Sequence, residues 1–257
     1  MAISFVKYHG TGNDFIIIDD RNGAFVDDDA QSIALLCDRH KGIGADGLML
    51  LRESAEYDFK MIYYNSDGAL GSMCGNGARC IVQWAKSLGI IDEKTQFEAP
   101  DGLHQAWFDQ GEVVLAMSDV SVIDSNEYGV FLDTGSPHQI CVKNTLKDLD
   151  VLTLGRSLRH DFFGVDGANI NFVSAGLNGS FDLRTYERGV EAETLSCGTG
   201  ATAAALAMHY LSLTAHNDVS LNTLGGRLKV AFTFNEGQYT DITLTGPAVA
   251  VFKGEWL

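Results

Sequence analysis

The sequence contains one pattern twice. Cys74-Gly75-Asn76-Gly77-Ala78 returns as Cys197-Gly198-Thr199-Gly200-Ala201, Thr11-Gly12 as Thr134-Gly135, and Gly44-Ala45-Asp46 as Gly167-Ala168-Asn169. Each pair stands 123 positions apart and the order is kept. With 28 glycines, one short match is cheap, but three at one spacing mark two homologous halves. A chain of 257 residues then carries two small α+β domains, with enough length to bury their cores without staples.

Patterning supplies the elements. In the first half, alternation predicts strands over 2–8 and 14–19 around the turn-like His9-Gly10-Thr11-Gly12-Asn13. Helical spacing covers 29–40, with Asp29 as N-cap. Strands follow near 47–52 and 58–64, then a helix over 75–88 that stops at Gly89. Three short strands fill 95–117, broken at Asp101-Gly102 and Gln110-Gly111. In the second half strands fall near 128–133 and 138–142, a helical stretch near 149–160, and strands near 169–174 and 180–187. A small-residue helix over 198–213 and strands near 217–223, 226–234, 239–245 and 248–253 close the chain. No Pro/Ser/Gly tract separates the halves.

Five cysteines are present, an odd number without a CxxC pair, which argues against a disulfide framework or a zinc site. Cys37, Cys80 and Cys141 lie within a helix, a helix and an apolar strand, and read as core residues. Cys74 and Cys197 differ, because each precedes Gly-x-Gly-Ala and a helix. A helix start exposes unpaired amides and the positive end of the dipole, which bind a carboxylate and stabilise a thiolate. Two such sulfurs facing one α-carbon suit inversion of an amino acid. One thiolate takes the α-proton, the opposite thiol returns a proton to the other face, and the amides hold the carboxylate.

Together with Gly10-Thr11-Gly12-Asn13-Asp14-Phe15, Tyr64-Asn65-Ser66-Asp67-Gly68, Met73 through Cys80, Gly135-Ser136-Pro137-His138 and Tyr186-Glu187-Arg188-Gly189, these motifs resemble the diaminopimelate epimerase family over the whole chain. The resemblance implies a cofactor-independent epimerase with Cys74 and Cys197 as the acid/base pair. It implies that Gly75, Asn76, Gly198 and Thr199 hold the carboxylate, and that Asn13, Asn65, Asn169, Glu187 and Arg188 read the other polar groups. His138 and Glu187 are implied to tune or position the thiols. The implied fold has two pseudo-symmetric domains, each a curled, mostly antiparallel sheet around a central helix, with the site between them. Residues 1–117 with 247–257 would form the Cys74 half and 118–246 the Cys197 half, the last strand crossing back to the first domain. Gly47 stands where many relatives carry Gln, Ser136 where many carry Asn, and 188–194 is one residue longer than the commonest form.

Other signals are discounted. Gly42-Ile43-Gly44-Ala45-Asp46-Gly47 matches GxGxxG, but a helix precedes it and a strand follows, the reverse of a dinucleotide site. The run Asp27-Asp28-Asp29 reads as a turn and cap, not a metal site. No cofactor or metal is expected. With 18 Lys+Arg against 34 Asp+Glu the net charge is −16, which repels nucleic acid and anionic membranes. No apolar run spans a bilayer and no leader is visible, so a soluble, cytoplasmic protein is expected. The expected partner is a small amino-acid substrate, and a homodimer is allowed. The alternatives are a two-cysteine racemase or epimerase for another amino acid, such as proline or hydroxyproline, and a non-catalytic amino-acid binding protein of the same fold. A thiol redox protein is disfavoured by the missing CxxC.

Overall fold

The computed structural model describes residues 2–26 and 29–257, so Asp27 and Asp28 of the acidic run lie outside the described residues. Two compact units emerge, Met1–Leu115 with Gly246–Leu257, and Ala116–Thr245.

The first unit holds β1 (Ile3–Gly10), β2 (Asn13–Asp19), α1 (Ala30–Cys37), β3 (Gly47–Arg52), β4 (Phe59–Asn65), α2 (Gly75–Ser87), β5 (Lys94–Ala99), β6 (Gly102–Asp109) and β7 (Glu112–Ala116). β1 and β2 pair antiparallel across Thr11-Gly12, β2 and β3 parallel, β3 and β4 antiparallel, β4 and β5 parallel, and β5 through β7 antiparallel. The second unit holds β8 (Ile123–Asn126), β9 (Gly129–Asp133), β10 (Pro137–Val142), α3 (Val151–Ser157), β11 (Asn169–Ala175), β12 (Phe181–Glu187), β13 (Ala192–Thr194), α4 (Gly198–Tyr210), β14 (Asp218–Thr223), β15 (Gly226–Asn235) and β16 (Gln238–Gly246). From β9 onward it repeats the same alternation of antiparallel and parallel pairs. β8 lies antiparallel beside β9. The last strand, β17 (Val249–Trp256), takes the corresponding place in the first unit, antiparallel to β1, from Ile3 opposite Trp256 to His9 opposite Val249.

Each unit wraps its sheet around one long helix. In α4, Ala201, Ala203, Ala204, Ala205, Leu206 and Ala207 are fully buried on every side, as a run of small apolar residues covering all faces of a helix requires. Alanine gives this helix its propensity, and its small side chain lets the strands approach closely. Around it pack Val130, Leu132, Ile140, Leu183, Val219, Leu228, Val230 and Leu244. Burial of each such aliphatic side chain contributes about 2 kcal/mol. In the first unit Ile16, Ile18, Leu48 and Leu50 form a second apolar layer with Ile33 and Leu36 of α1.

Three helices end differently from the sequence expectation. α1 starts at the Asp29 cap but stops at Cys37, because the Asp38 carboxylate accepts from the amides of His40 and Lys41 and turns the chain. α3 covers only Val151–Ser157 and opens into a π turn, Leu158–Phe162, where Arg159 is buried and donates to the Gly164 carbonyl. α4 stops at Tyr210 rather than 213, with Ser212 in the left-handed region at φ 58. Gly89 takes the same place after α2 at φ 70, and the Ile90 amide reaches back to the Ala85 carbonyl as Leu213 reaches Met208. The helix end is repeated at 123 positions, but without its glycine the stop in the second half is invisible in the sequence. β8 and β13 are additional to the expected strands.

Strand register shows that the spacing of the repeat drifts. Phe15 faces Gly47 across β2 and β3, whereas His138 faces Asn169 across β10 and β11. Met49 pairs with Tyr63, and Asn171 with Thr185. With Phe15 matched to His138 at 123, β3 and β4 therefore match β11 and β12 at 122. The matched Gly-Ala-Asp and Gly-Ala-Asn are thus one residue out of step in the sheet. The connection from β12 to α4 is one residue longer than that from β4 to α2, which restores the 123 spacing at the helix start. It contains a turn that carries Glu191 at φ 56, closed by the Glu191 amide on the Glu187 carbonyl at 2.8 Å.

Candidate active site

Both long helices begin on a cysteine. Cys74 caps α2 with extended backbone (φ −107, ψ 119), and Cys197 caps α4 likewise (φ −123, ψ 117). The first intrahelical bonds run from the Ala78 amide to the Cys74 carbonyl (2.7 Å) and from the Ala201 amide to the Cys197 carbonyl (2.9 Å). The amides of Gly75, Asn76, Gly198 and Thr199 precede these and have no carbonyl partner within their helices. The other three cysteines stand apart. Burial pushes the thiols of Cys37 and Cys141 up to about 11 and that of Cys80 higher still, so they stay protonated core groups.

In the first unit the Cys74 sulfur lies 3.6 Å from Asn13 Oδ1, which also accepts from Asn76 Nδ2 at 3.2 Å. The orientation of Asn13 is set from behind, because its Nδ2 donates to Asp46 at 2.7 Å. Asp46 in turn is gripped by Arg39, which also holds Asp14, itself paired with Lys7 at 2.7 Å. Burial works against the Asp14 charge, yet the hydrogen bonds and charges of Arg39 and Lys7 hold its carboxyl far below the usual range. Beneath the helix start lies Arg79, with no solvent exposure. It donates to the Gly75 carbonyl (3.2 Å), Asn76 Oδ1 (2.8 Å) and Thr11 Oγ1 (3.4 Å), all uncharged acceptors. Sequence reading passed over Arg79, although a charged residue in an otherwise buried helix was the available sign. Asn65 ends β4, exposed, opposite Gly47. A Cβ at residue 47 would lie 2.5 Å from the Tyr63 ring and 2.6 Å from the Tyr64 carbonyl oxygen. The glycine there is required by Tyr63, which covers it.

In the second unit the Cys197 sulfur lies 3.5 Å from Thr199 Oγ1. Asn169 Nδ2 donates to Ser136 Oγ at 2.9 Å, and Asn169 Oδ1 accepts from the Arg188 amide at 2.9 Å. The serine at 136 thus braces Asn169 directly. Glu187 accepts from Thr194 Oγ1 at 2.7 Å, and Arg188 Nη1 donates to the Asp166 carbonyl at 2.9 Å. His138 is wholly buried on β10, and its Nδ1 meets Asn171 Nδ2 at 3.0 Å. Burial, and after it the Arg188 charge, pushes the ring down to about 3, so it is neutral at ordinary pH. The structure thus groups Cys74, Asn13, Gly75 and Asn76 in one unit, with Asn65 one strand away. In the other it groups Cys197, Gly198, Thr199, Asn169, Glu187, Arg188 and His138. Among the described residues, no group of three or more His, Cys, Asp or Glu side chains could hold a metal ion. No helix among them is long and apolar enough to cross a membrane.

A family model described as diaminopimelate epimerase matches residues 5–123 and 130–251. The diaminopimelate epimerase of Flavobacterium psychrophilum is 49% identical over 249 residues, covering 96% of this chain and 97% of that protein. That of Chlorobaculum tepidum is 42% identical over 257 residues, covering 95% and 98%. Among solved structures, a PhzF-family phenazine biosynthesis protein from Bacillus anthracis shares the fold, with a TM-score of 0.79 and 16% identity over 100% of this chain and 99% of that one. With near full-length likeness joined to the twice-built cysteine helix start, the chain belongs to the diaminopimelate epimerase family.

Proposed function

We propose that the protein interconverts LL- and meso-2,6-diaminopimelate by proton transfer between Cys74, Cys197 and one α-carbon, a step of lysine and peptidoglycan precursor synthesis. In this reading residues 1–117 with 247–257 supply the Cys74 half-site and 118–246 the Cys197 half-site. A thiolate on one cysteine removes the α-proton, forming S–H as C–H breaks, and the electron pair moves toward the carboxylate. The second cysteine gives its proton to the opposite face of the carbon and becomes the new thiolate. One C–H and one S–H bond are broken and one of each is made, so the reaction balances without an added cofactor. The sulfurs end with exchanged protonation states, ready for the reverse direction.

The amides of Gly75, Asn76, Gly198 and Thr199 bind the carboxylate and gain strength as charge builds on it. Asn13, Asn65, Asn169 and Glu187 bind the remaining polar groups, and Arg188 grips the distal carboxylate through its fork. His138 and Glu187 set the protonation of the sulfur nearest them. The observation that carries the reading is that each long helix is capped by a cysteine at the start of Gly-x-Gly-Ala. The reducing cytoplasm, which keeps both thiols active, is the proposed setting. The test is proton NMR of LL- and meso-diaminopimelate with the protein in D2O. Loss of the α-proton signal with interconversion of the isomers supports the reading, and an unchanged spectrum refutes it.

A further inference from the structure

The second unit spends polar groups where the first spends apolar ones. Under the start of α2, Met49 and Phe15 sit against Gly77, and Tyr63 packs edge-on to Phe15 at 6.1 Å between centroids. The register of the sheets matches these three to Asn171, His138 and Thr185. A Cβ at Gly200, which matches Gly77, would lie 2.5 Å from Asn171 Oδ1 and 3.3 Å from the Cys197 sulfur, so this polar cluster lies directly under the Cys197 helix start. The fold does not need polar groups there, as the first unit demonstrates, and burying them is costly unless each is satisfied.

The contacts determine where the protons are. Asn171 Nδ2 approaches the carbonyls of Gln139 (3.3 Å) and Asn169 (3.2 Å), which can only accept, so this end of the amide is the donor. Asn171 Oδ1 accepts from Thr185 Oγ1 at 2.9 Å. His138 Nδ1, 3.0 Å from the same Nδ2, must therefore accept. A ring whose Nδ1 accepts is neutral and carries its proton on Nε2. That Nε2 is buried and makes no hydrogen bond.

We infer that Asn171 is a positioning residue that locks His138 in the neutral Nε2–H form, making His138 a fixed hydrogen-bond donor in the Cys197 half-site and never a proton acceptor. The inference rests on the proposed epimerase reading for its functional consequence, while the tautomer itself is independent of that reading. The donor is offered to an anion, the thiolate or the substrate carboxylate, and stabilises it without taking part in proton transfer. The titratable and charged groups that the surrounding elements bring to this end of the unit are Asp133 at the end of β9, Glu187 and Arg188 at the end of β12, and Cys197 before α4. None of them holds Nδ1, which belongs to Asn171.

Long-range proton–nitrogen NMR of the 15N-labelled protein reads both ring nitrogens directly, with the His138 signals identified by their loss in His138→Gln. The expected wild-type pattern is one protonated nitrogen, Nε2, unchanged from pH 5 to 8. A proton on Nδ1, or on both nitrogens, overturns the inference whatever the activity. Asn171→Asp places a carboxylate against Nδ1, so the ring should become doubly protonated near pH 6 and the pH profile of kcat should gain an ionisation. Asn171→Met installs the residue of the first unit. It should release the tautomer and lower kcat about tenfold, with KM changed less than about threefold. Either variant with wild-type spectrum and pH profile also overturns it. A wild-type enzyme inactive on diaminopimelate but showing the expected tautomer would remove the substrate reading and leave the tautomer lock standing.

Discussion

The two units begin their long helices with the same five-residue pattern and support it in opposite ways. Under α2 lie Phe15, Met49 and Tyr63, and the charge is inside the helix, where Arg79 binds the Gly75 carbonyl. Under α4 lie His138, Asn171 and Thr185, and the helix itself is neutral, with Thr202 binding the Gly198 carbonyl at 3.1 Å in the place of Arg79. A perfect duplicate would give two sulfurs of equal acidity. Two-base inversion requires one sulfur to hold a proton while the other does not. The duplicated backbone supplies two like helix starts, and the divergence beneath them makes the starts unlike.

The largest effect belongs to what the units share. Cys74→Ala and Cys197→Ala should each reduce epimerisation by about 10²–10⁴-fold, since in the proposed mechanism each removes a general acid or base. Full activity in either variant, by NMR or by a coupled assay, would break the pairing of the two helix starts. The next effect belongs to what divides them. Arg79→Met removes three hydrogen bonds from the interior and should cost about 3 kcal/mol, against about 1 kcal/mol for Thr202→Val. Urea denaturation compares the two, and equal costs would show that Arg79 is no more than a packing group. In the Arg79 variant, alkylation of Cys74 should also require higher pH, because a buried positive charge that acts on its sulfur is gone.

A smaller effect follows from the buried histidine. In the unfolded chain His138 protonates near 6.5, but in the folded protein only near 3. Between these values the unfolded state binds the extra proton, so stability falls as pH drops through the window, by up to about 1.4 kcal/mol per pH unit. Replacing both His138 and Asn171 by their first-unit counterparts, Phe and Met, should flatten that slope in denaturant melts between pH 4 and 6.5. An undiminished slope would assign the acid sensitivity to other groups. The smallest change repairs a helix end. Ser212→Gly, matching Gly89, should add about 1 kcal/mol by relieving a left-handed non-glycine residue. No gain in Tm would show that the strain is relieved locally in another way.

The duplication, both cysteine helix starts and most strands were legible in the sequence because they rest on local signals: Gly-x-Gly-Ala, alternation, and turns such as Thr11-Gly12. What was not legible depends on register. The match of Gly-Ala-Asp with Gly-Ala-Asn holds as text but slips by one residue in the sheet, since only pairing partners reveal which residue faces which. Asn171 was missed for the same reason. One polar residue between Ile170 and Phe172 shows nothing of a partner 33 positions away, although its place two residues after Asn169 puts both on one face of β11. Gly47 read as a departure, and only the Tyr63 ring lying over it gives it a cause.

The antiparallel pairing of β17 with β1 also constrains how the protein is made. On the ribosome, residues 116–245 emerge with every strand of their own unit. The first unit, although translated first, lacks the neighbour of β1 until residues 249–256 have followed. The half encoded second is thus the first that can finish folding, and the earlier half must wait with the edge of β1 uncovered, an exposure that favours chaperone capture or aggregation during slow synthesis.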